Sequence, residues 1–217
     1  MEFGSILLQL LGGFGKSMGI FFLTLLFSLP LGLIIALGRM SKNAFVRKPV
    51  EIYISLMRGT PLMLQLIFVY YMPYALFGIR LSSGWRFFAV IIAFVINYAA
   101  YFAEIYRSGI QSVPVGQYEA AEVLGYSKNQ TFMGIILPQV IKRILPAVGN
   151  EIITLVKDTS LAFAIAYVEM FTIAKQIVAK ESDLTALIVA GVFYYIFNYV
   201  VAAALNFAEK KLSYYSI

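Results

Sequence analysis

Long apolar runs separated by short polar segments set the pattern of this chain. A helix needs about 20 apolar residues to cross the core of a bilayer. Five stretches reach that length and predict five transmembrane helices, over residues 17–38, 52–77, 86–107, 144–165 and 184–207. The expected fold class is therefore all-α, with residues 1–217 forming a single polytopic transmembrane domain.

The longest polar interruption, at about residues 109–138, predicts a helix-turn-helix outside the membrane. Gln117–Leu124 has the length of about two helical turns. Gly125 tolerates the left-handed conformation that ends many helices. Ser127 and Gln130 have the spacing of a capping box, which predicts the start of a second short helix.

The N-terminal region raises the question of a cleaved signal peptide. The apolar run from Met18 to Leu37 is longer than a usual signal-peptide core, and no small-residue cleavage site follows it before Arg39. We therefore expect this run to be the first transmembrane helix. Ser5–Phe14 is expected to lie along the outer interface as a short, separate amphipathic segment.

Composition excludes several classes of function. Hydrophobic residues make up 61% of the chain and charged residues 13%, which is incompatible with a soluble globular domain. The chain has no cysteine and no histidine, which excludes disulfides, zinc ligands of those types and Cys or His catalysis. We expect no metal site and no catalytic site. An intramembrane enzyme would have to pair Ser160 with Lys157, and no serine-centred motif surrounds them.

Basic residues predict the orientation. Four lie between the first two predicted spans, four between the third and fourth, and Lys210 and Lys211 follow the last span, whereas the opposite side carries five. The positive-inside rule then places the N-terminus outside and both the C-terminus and the 109–138 loop in the cytoplasm.

Ionisable side chains are costly inside a membrane and are candidates for function. Glu151 and Asp158 are seven residues apart, which places them within about 20° of each other on a helix, so that both can face one cavity. Leu155 extends the same stripe. Asp158–Ser160, directly after Lys157, forms a polar break that can expose backbone groups and hydroxyls to a substrate. The alternative is a structural ion pair between Lys157 and a carboxylate.

The second and third predicted spans add further polar positions. Gly59 and Pro61 predict a kink or local unwinding, and a kinked helix can line a cavity. Asn97 and Tyr101 share one face of the third span, and an aromatic ring beside an amide suits an amino acid. Glu104 follows on that face and is expected to neutralise Arg107, three residues away.

Three motifs carry a family resemblance. The loop reads E-A-A-x3-G-x9-I-x-L-P from Glu119 to Pro138, the second span contains R-G-T-P-L-x-x-Q-L from Arg58 through Gln65 to Leu66, and the fourth contains K-D-T-S from Lys157. These strings resemble the transmembrane permease subunits of ABC importers for polar amino acids. The resemblance implies an ATPase-coupling segment formed by Glu119, Ala120, Ala121, Glu122, Leu124 and Gly125. Together with the polar positions above, it implies a substrate site formed by Met57, Asn97, Tyr101, Glu151, Leu155, Lys157, Asp158 and Thr159.

The same resemblance implies partners. They are a second permease subunit, identical or different, a pair of ABC ATPase subunits that bind ATP-Mg, and an extracytoplasmic solute-binding protein, all at a prokaryotic inner membrane. No cofactor is expected in this chain itself. The two acids favour basic amino acids as substrates by charge complementarity. A permease specific for glutamine or glutamate and an ATP-independent secondary transporter or channel remain alternatives.

Overall fold

The computed structural model describes residues 3–212 of the chain. All regular secondary structure in that range is helical, which confirms the predicted all-α class. The elements in chain order are α1 (Phe3–Arg39), α2 (Ala44–Gly59), α3 (Leu62–Phe77), α4 (Trp85–Gln111), α5 (Val115–Val123), α6 (Lys128–Thr131), a π-helical segment (Phe132–Ile136), α7 (Leu137–Asp158), a 3₁₀ segment (Thr159–Ile165), α8 (Met170–Glu181) and α9 (Thr185–Leu212).

Within the described residues, four helical segments are long and apolar enough to cross a membrane. A fifth span results if the bent pair α2 and α3 counts as one. The five predicted spans therefore agree with the structure when α2 and α3 are counted together as one broken span. The four single segments are Phe3–Arg39, Trp85–Gln111, Lys128–Ile165 and Thr185–Lys211.

α1 is one continuous helix, so the separate interfacial segment predicted at Ser5–Phe14 is wrong. Ile6 and Leu10 are buried in a cluster with residues of α8 and α9, and this protein contact replaces the expected contact with lipid headgroups. A Cβ atom on Gly13 would lie 2.7 Å from the Cα of Met170. The glycine thus permits α1 and α8 to approach closely.

The predicted kink in the second span is a complete break. α2 ends at Gly59, α3 begins at Leu62, and the two helices are bent by 113°. Pro61 cannot donate a backbone hydrogen bond at this point. The buried Gln65 side chain compensates by donating to the carbonyl oxygens of Met57 at 2.9 Å and Thr60 at 3.1 Å.

The main core lies where α1, α3, α4 and α7 meet. α4 packs along α1, and Gly32 makes this possible because a Cβ there would lie 2.8 Å from the Cβ of Phe102. Phe94 and Leu155 are fully buried in the same cluster, together with Leu66 of α3. This packing holds α4 and α7 side by side, and the polar faces of both helices then border the same space.

The 109–138 loop forms the predicted helix and turn. α5 is followed by Gly125, whose φ of 78° is the left-handed conformation predicted for it. Ser127 and Gln130 make both hydrogen bonds of a capping box. The second helix differs from the expectation, because α6 continues through the π-helical segment into α7. Pro138, near the start of α7, lacks the N–H of a regular helix, which is consistent with the π-helical geometry just before it.

Candidate functional site

A cavity of about 420 Å³ lies beside the break between α2 and α3. Its walls come from the break itself, from the middle of α4, and from α7 with the 3₁₀ segment that follows. Polar and aromatic groups dominate the lining. The lining residues are Thr60, Pro61, Leu62, Asn97, Tyr98, Tyr101, Glu151, Thr154, Asp158 and Leu161.

Two carboxylates face this cavity, as their spacing along α7 predicted. Glu151 and Asp158 both line it and are both partly buried. Tyr98 donates a hydrogen bond from its hydroxyl to Oδ2 of Asp158 at 2.7 Å. Among the described residues, the salt bridges involve neither acid. The cavity therefore contains two acids without a cation within salt-bridge distance.

An amide network holds the broken helix against α4. Asn97 donates to Oε1 of Gln65 at 2.9 Å and to the carbonyl oxygen of Met57 at 3.1 Å. Met57 thus contributes its backbone carbonyl oxygen to this hydrogen-bond network. Its side chain packs in a cluster with Ile54 and does not line the cavity. Sequence reasoning named Gln65 only as part of a motif. The signal for its role was an amide inside an apolar run, which requires a hydrogen-bond partner.

The break also creates a helix N-terminus at the cavity. α3 begins at Leu62, and the preceding Pro61 provides no side-chain cap. The first N–H groups of a helix have no partner within that helix. Because Leu62 lines the cavity, the N-terminal end of α3, which carries the positive end of the helix dipole, borders it. A helix N-terminus of this kind favours anionic groups such as carboxylates.

The remaining predicted substrate residues lie outside the cavity lining. Leu155 is fully buried in the main core. Thr159 is buried and donates its hydroxyl to the carbonyl oxygen of Val156 at 2.9 Å. Lys157 is exposed in a separate groove beside Tyr194. The stripe predicted along α7 is thus divided, because Leu155 and Thr159 pack inside the protein. The structure brings four of the eight predicted residues together: Asn97, Tyr101, Glu151 and Asp158.

The α5 side of the site has a larger cavity of about 550 Å³. It shares Tyr101 and Glu151 with the first cavity, and its lining is rich in arginine. Glu104 accepts hydrogen bonds from Arg107 at 3.1 and 2.7 Å, as the spacing of the two residues predicted. Arg58 and Arg143 also line this cavity.

The predicted coupling residues divide into exposed and buried positions. Glu119, Ala120, Glu122 and Leu124 are exposed. Ala121 is only 1% exposed, so it packs inside the protein and cannot provide a bare surface for a partner. Sequence reasoning missed Val123, which is 87% exposed and adjoins Leu124 at 74%. Val123 and Leu124 are thus two neighbouring apolar side chains that this loop leaves uncovered.

Comparisons with known proteins identify relatives over almost the whole chain. Residues 28–214 match the family described as "Binding-protein-dependent transport system inner membrane component". The probable amino-acid ABC transporter permease protein YckA of Bacillus subtilis (strain 168) is 41% identical over 94% of this chain and 88% of its own length. The nopaline transport system permease protein NocM of Agrobacterium fabrum is 38% identical over 94% of this chain and 88% of its own length.

A solved structure has the same architecture. A structure described as an amino acid ABC transporter with histidines matches with a TM-score of 0.86 and 31% sequence identity. The match covers 97% of this chain and 99% of that one. The arrangement of helices described above is therefore that of a known permease fold.

Proposed function

Because the chain belongs to the family of binding-protein-dependent transport system inner membrane components, we propose that it is the membrane subunit of an ATP-driven importer for basic amino acids. The observation that carries the choice of substrate is the pair Glu151 and Asp158 at one cavity without a cation in salt-bridge contact. The family membership disfavours an ATP-independent carrier or channel. It also makes the chain a transport component rather than an enzyme.

Charge complementarity favours a cationic substrate. Two carboxylates at one partly buried cavity repel each other and lose hydration, and a cation between them offsets both costs. The side chain of arginine or lysine, or of protonated histidine, supplies that cation, and the substrate's α-ammonium group supplies a second. A glutamate side chain would add a third negative charge. Glutamine has only its α-ammonium group as a cation, so it can pair with one of the two acids, and it is the second choice of substrate.

The N-terminus of α3 is the proposed site for the α-carboxylate of the substrate. Lys157, the cation that the sequence offered for this role, lies in another groove. The start of α3 borders the cavity at Leu62, and Glu151 and Asp158 line the same cavity. An amino acid bound with its carboxylate at α3 and its cationic groups at α7 would have every charge opposed.

The proposed assembly follows from the family. Two permease subunits, identical or different, would form the pathway, and a solute-binding protein would deliver the amino acid from outside. A pair of ATPase subunits that bind ATP-Mg would dock on α5 and its following turn, through the exposed Val123 and Leu124. Closure of the ATPase dimer would move the two α5 helices together and open the pathway to the outside. The N-terminus would lie outside and the C-terminus in the cytoplasm.

Separate Glu151→Gln and Asp158→Asn variants test the substrate. Each is expected to reduce arginine uptake by reconstituted transporter at least tenfold, since losing one partner of a buried charge pair costs about 2–5 kcal/mol. Glutamine uptake is expected to fall less. Glu51→Gln is the matched control, because Glu51 lies outside both cavities. Unchanged arginine uptake in both cavity variants would show that these acids are structural.

Ala120→Trp tests the docking surface. Ala120 is exposed on α5, so tryptophan is accommodated by the permease itself but obstructs a partner. Transport and substrate-stimulated ATP hydrolysis are expected to fall together, with loss of co-purification of the ATPase. Ala44→Trp, at an exposed alanine of α2, is the control. Gly125 is unsuitable, because its φ of 78° would strain any larger residue. Normal transport by the Ala120→Trp permease would contradict docking at α5.

A further inference from the structure

Arg58 lies where the two cavities meet. It belongs to the last turn of α2, immediately before the break. Its guanidinium carbon is 5.4 Å from the centre of the Tyr101 ring, within the range of a cation–π contact. Tyr101 and Glu151 line both cavities, and Arg58 lines the larger one with them. The guanidinium group of Arg58 therefore lies at the α5-side opening of the proposed substrate site.

The protein holds this arginine loosely. Glu104 is hydrogen-bonded to Arg107, with its shortest contact at 2.7 Å. The nearest contact of Arg58 with the same carboxylate is 3.9 Å, beyond hydrogen-bond distance. Arg39 is 3.8 Å from Glu104 but has a second partner, Glu51, at 3.4 Å. Of the three arginines around Glu104, Arg58 has the weakest attachment, and its side chain is 46% exposed.

Arg58 occupies a position that suits a cationic substrate. The ring of Tyr101 and the carboxylate of Glu151 are the groups that attract a positive charge at this end of the small cavity. Arg58 already lies on that ring and lines the larger cavity together with Glu151. A substrate cation at the same place would meet a like charge. Arg58 can avoid this repulsion by moving toward Glu104, whose carboxylate is 3.9 Å away.

We propose that Arg58 is a tethered cation that competes with cationic substrates for the face of Tyr101 and thereby controls their passage between the two cavities. This inference rests on the proposed function. In the empty permease the guanidinium group offsets the charge of Glu151. When a basic amino acid binds, Arg58 withdraws to Glu104. After release, its return places a positive charge at the cytoplasmic opening, where it opposes re-entry of a cation from the cell.

Arg58→Gln removes the charge and retains most of the length of the side chain. In the purified complex of permease and ATPase, without nucleotide, its affinity for radiolabelled arginine is expected to rise about twofold to fivefold, because a competing cation–π contact is lost. The affinity for citrulline is expected to stay unchanged, because citrulline has the shape of arginine but an uncharged side chain. Passive efflux of arginine from proteoliposomes is expected to increase, since the barrier at the opening is lost.

Two variants serve as controls. Arg58→Lys keeps the charge and is expected to show little leak and near wild-type arginine affinity. Lys42→Gln removes an exposed cation between α1 and α2, outside both cavities, and is expected to change neither readout. If Arg58→Gln is poorly produced, Arg58→Met provides a second neutral side chain of similar length.

The outcomes separate this inference from the function on which it rests. Wild-type permease that binds arginine no better than citrulline would contradict the proposed basic substrate. Wild-type permease that prefers arginine, combined with unchanged arginine affinity and unchanged efflux in both neutral variants, would overturn the role of Arg58. A gain in citrulline affinity equal to the gain for arginine would also overturn it, because citrulline has the same α-ammonium group and lacks only the side-chain cation with which Arg58 is proposed to compete.

Discussion

Glu169 and Asp158 are both withdrawn from solvent, but the protein surrounds them differently. Glu169 is fully buried at the start of α8. It accepts hydrogen bonds from the backbone N–H groups of Thr172 at 2.7 Å and Phe171 at 2.8 Å, and from the hydroxyls of Ser17 at 3.1 Å and Tyr194 at 3.2 Å. Within residues 3–212, the hydrogen bond that Asp158 receives comes from Tyr98.

The difference separates a structural acid from a binding acid. A carboxylate has about four positions for hydrogen-bond donors. The donors around Glu169 come from α1, α8 and α9, so this acid joins three helices and leaves no room for a ligand. Asp158 and the neighbouring Glu151 keep most of their positions open toward a cavity. A ligand with several N–H groups can complete them, which is the property expected of a substrate site.

The largest expected effect is a loss of stability in Glu169→Ala. The variant loses a helix cap and removes the carboxylate that accepts the hydroxyl hydrogen bonds of Ser17 and Tyr194, which together cost about 3 kcal/mol. Equilibrium unfolding in mixed detergent micelles measures this loss. Glu151→Gln is the matched control and is expected to change the unfolding free energy little, because it removes no hydrogen bond between described residues. Equal losses in the two variants would remove the distinction between the two kinds of acid.

A smaller effect is expected for Tyr98→Phe. The change deletes the hydrogen bond to Asp158 and keeps the ring, which is buried in the main core. The expected cost is about 1 kcal/mol in the same unfolding assay, because the cavity lets water replace the hydroxyl. Arginine uptake is expected to persist, since both acids remain. A loss as large as that of Glu169→Ala would mean that Asp158 is structural too.

The motifs predicted the fold and the family well, for reasons that are local. A run of apolar residues is sufficient to predict a membrane helix, and the membership shown by residues 28–214 confirms the resemblance of the three strings. Gly125 and the capping box of Ser127 were also predictable, because each depends on a few neighbouring residues. The break at Pro61 was located correctly, but its 113° bend was not predicted.

Predictions that depended on which neighbour a side chain meets were less successful. Ser5–Phe14 has the composition of an interfacial segment, but it is the first part of the continuous helix α1. Its residues Ile6 and Leu10 pack against α8 and α9. Ala121 resembles its neighbour Ala120 in sequence, and only the packing of the loop buries one and exposes the other. The contribution of Glu169 to the joining of three helices had no signal in the sequence, because its partners Ser17 and Tyr194 are distant along the chain.

The sequence by itself determined the helical class, the approximate spans, the loop with its turn, and the common face of Glu151 and Asp158. Each depends on composition or on a helical repeat that acts within a few turns. Only the tertiary structure decided that Lys157 lies in another groove, that the N-terminus of α3 meets the cavity, and that Arg58 lies over Tyr101. These features depend on how separate helices pack, and periodicity within one helix carries no information about the helix that will lie beside it.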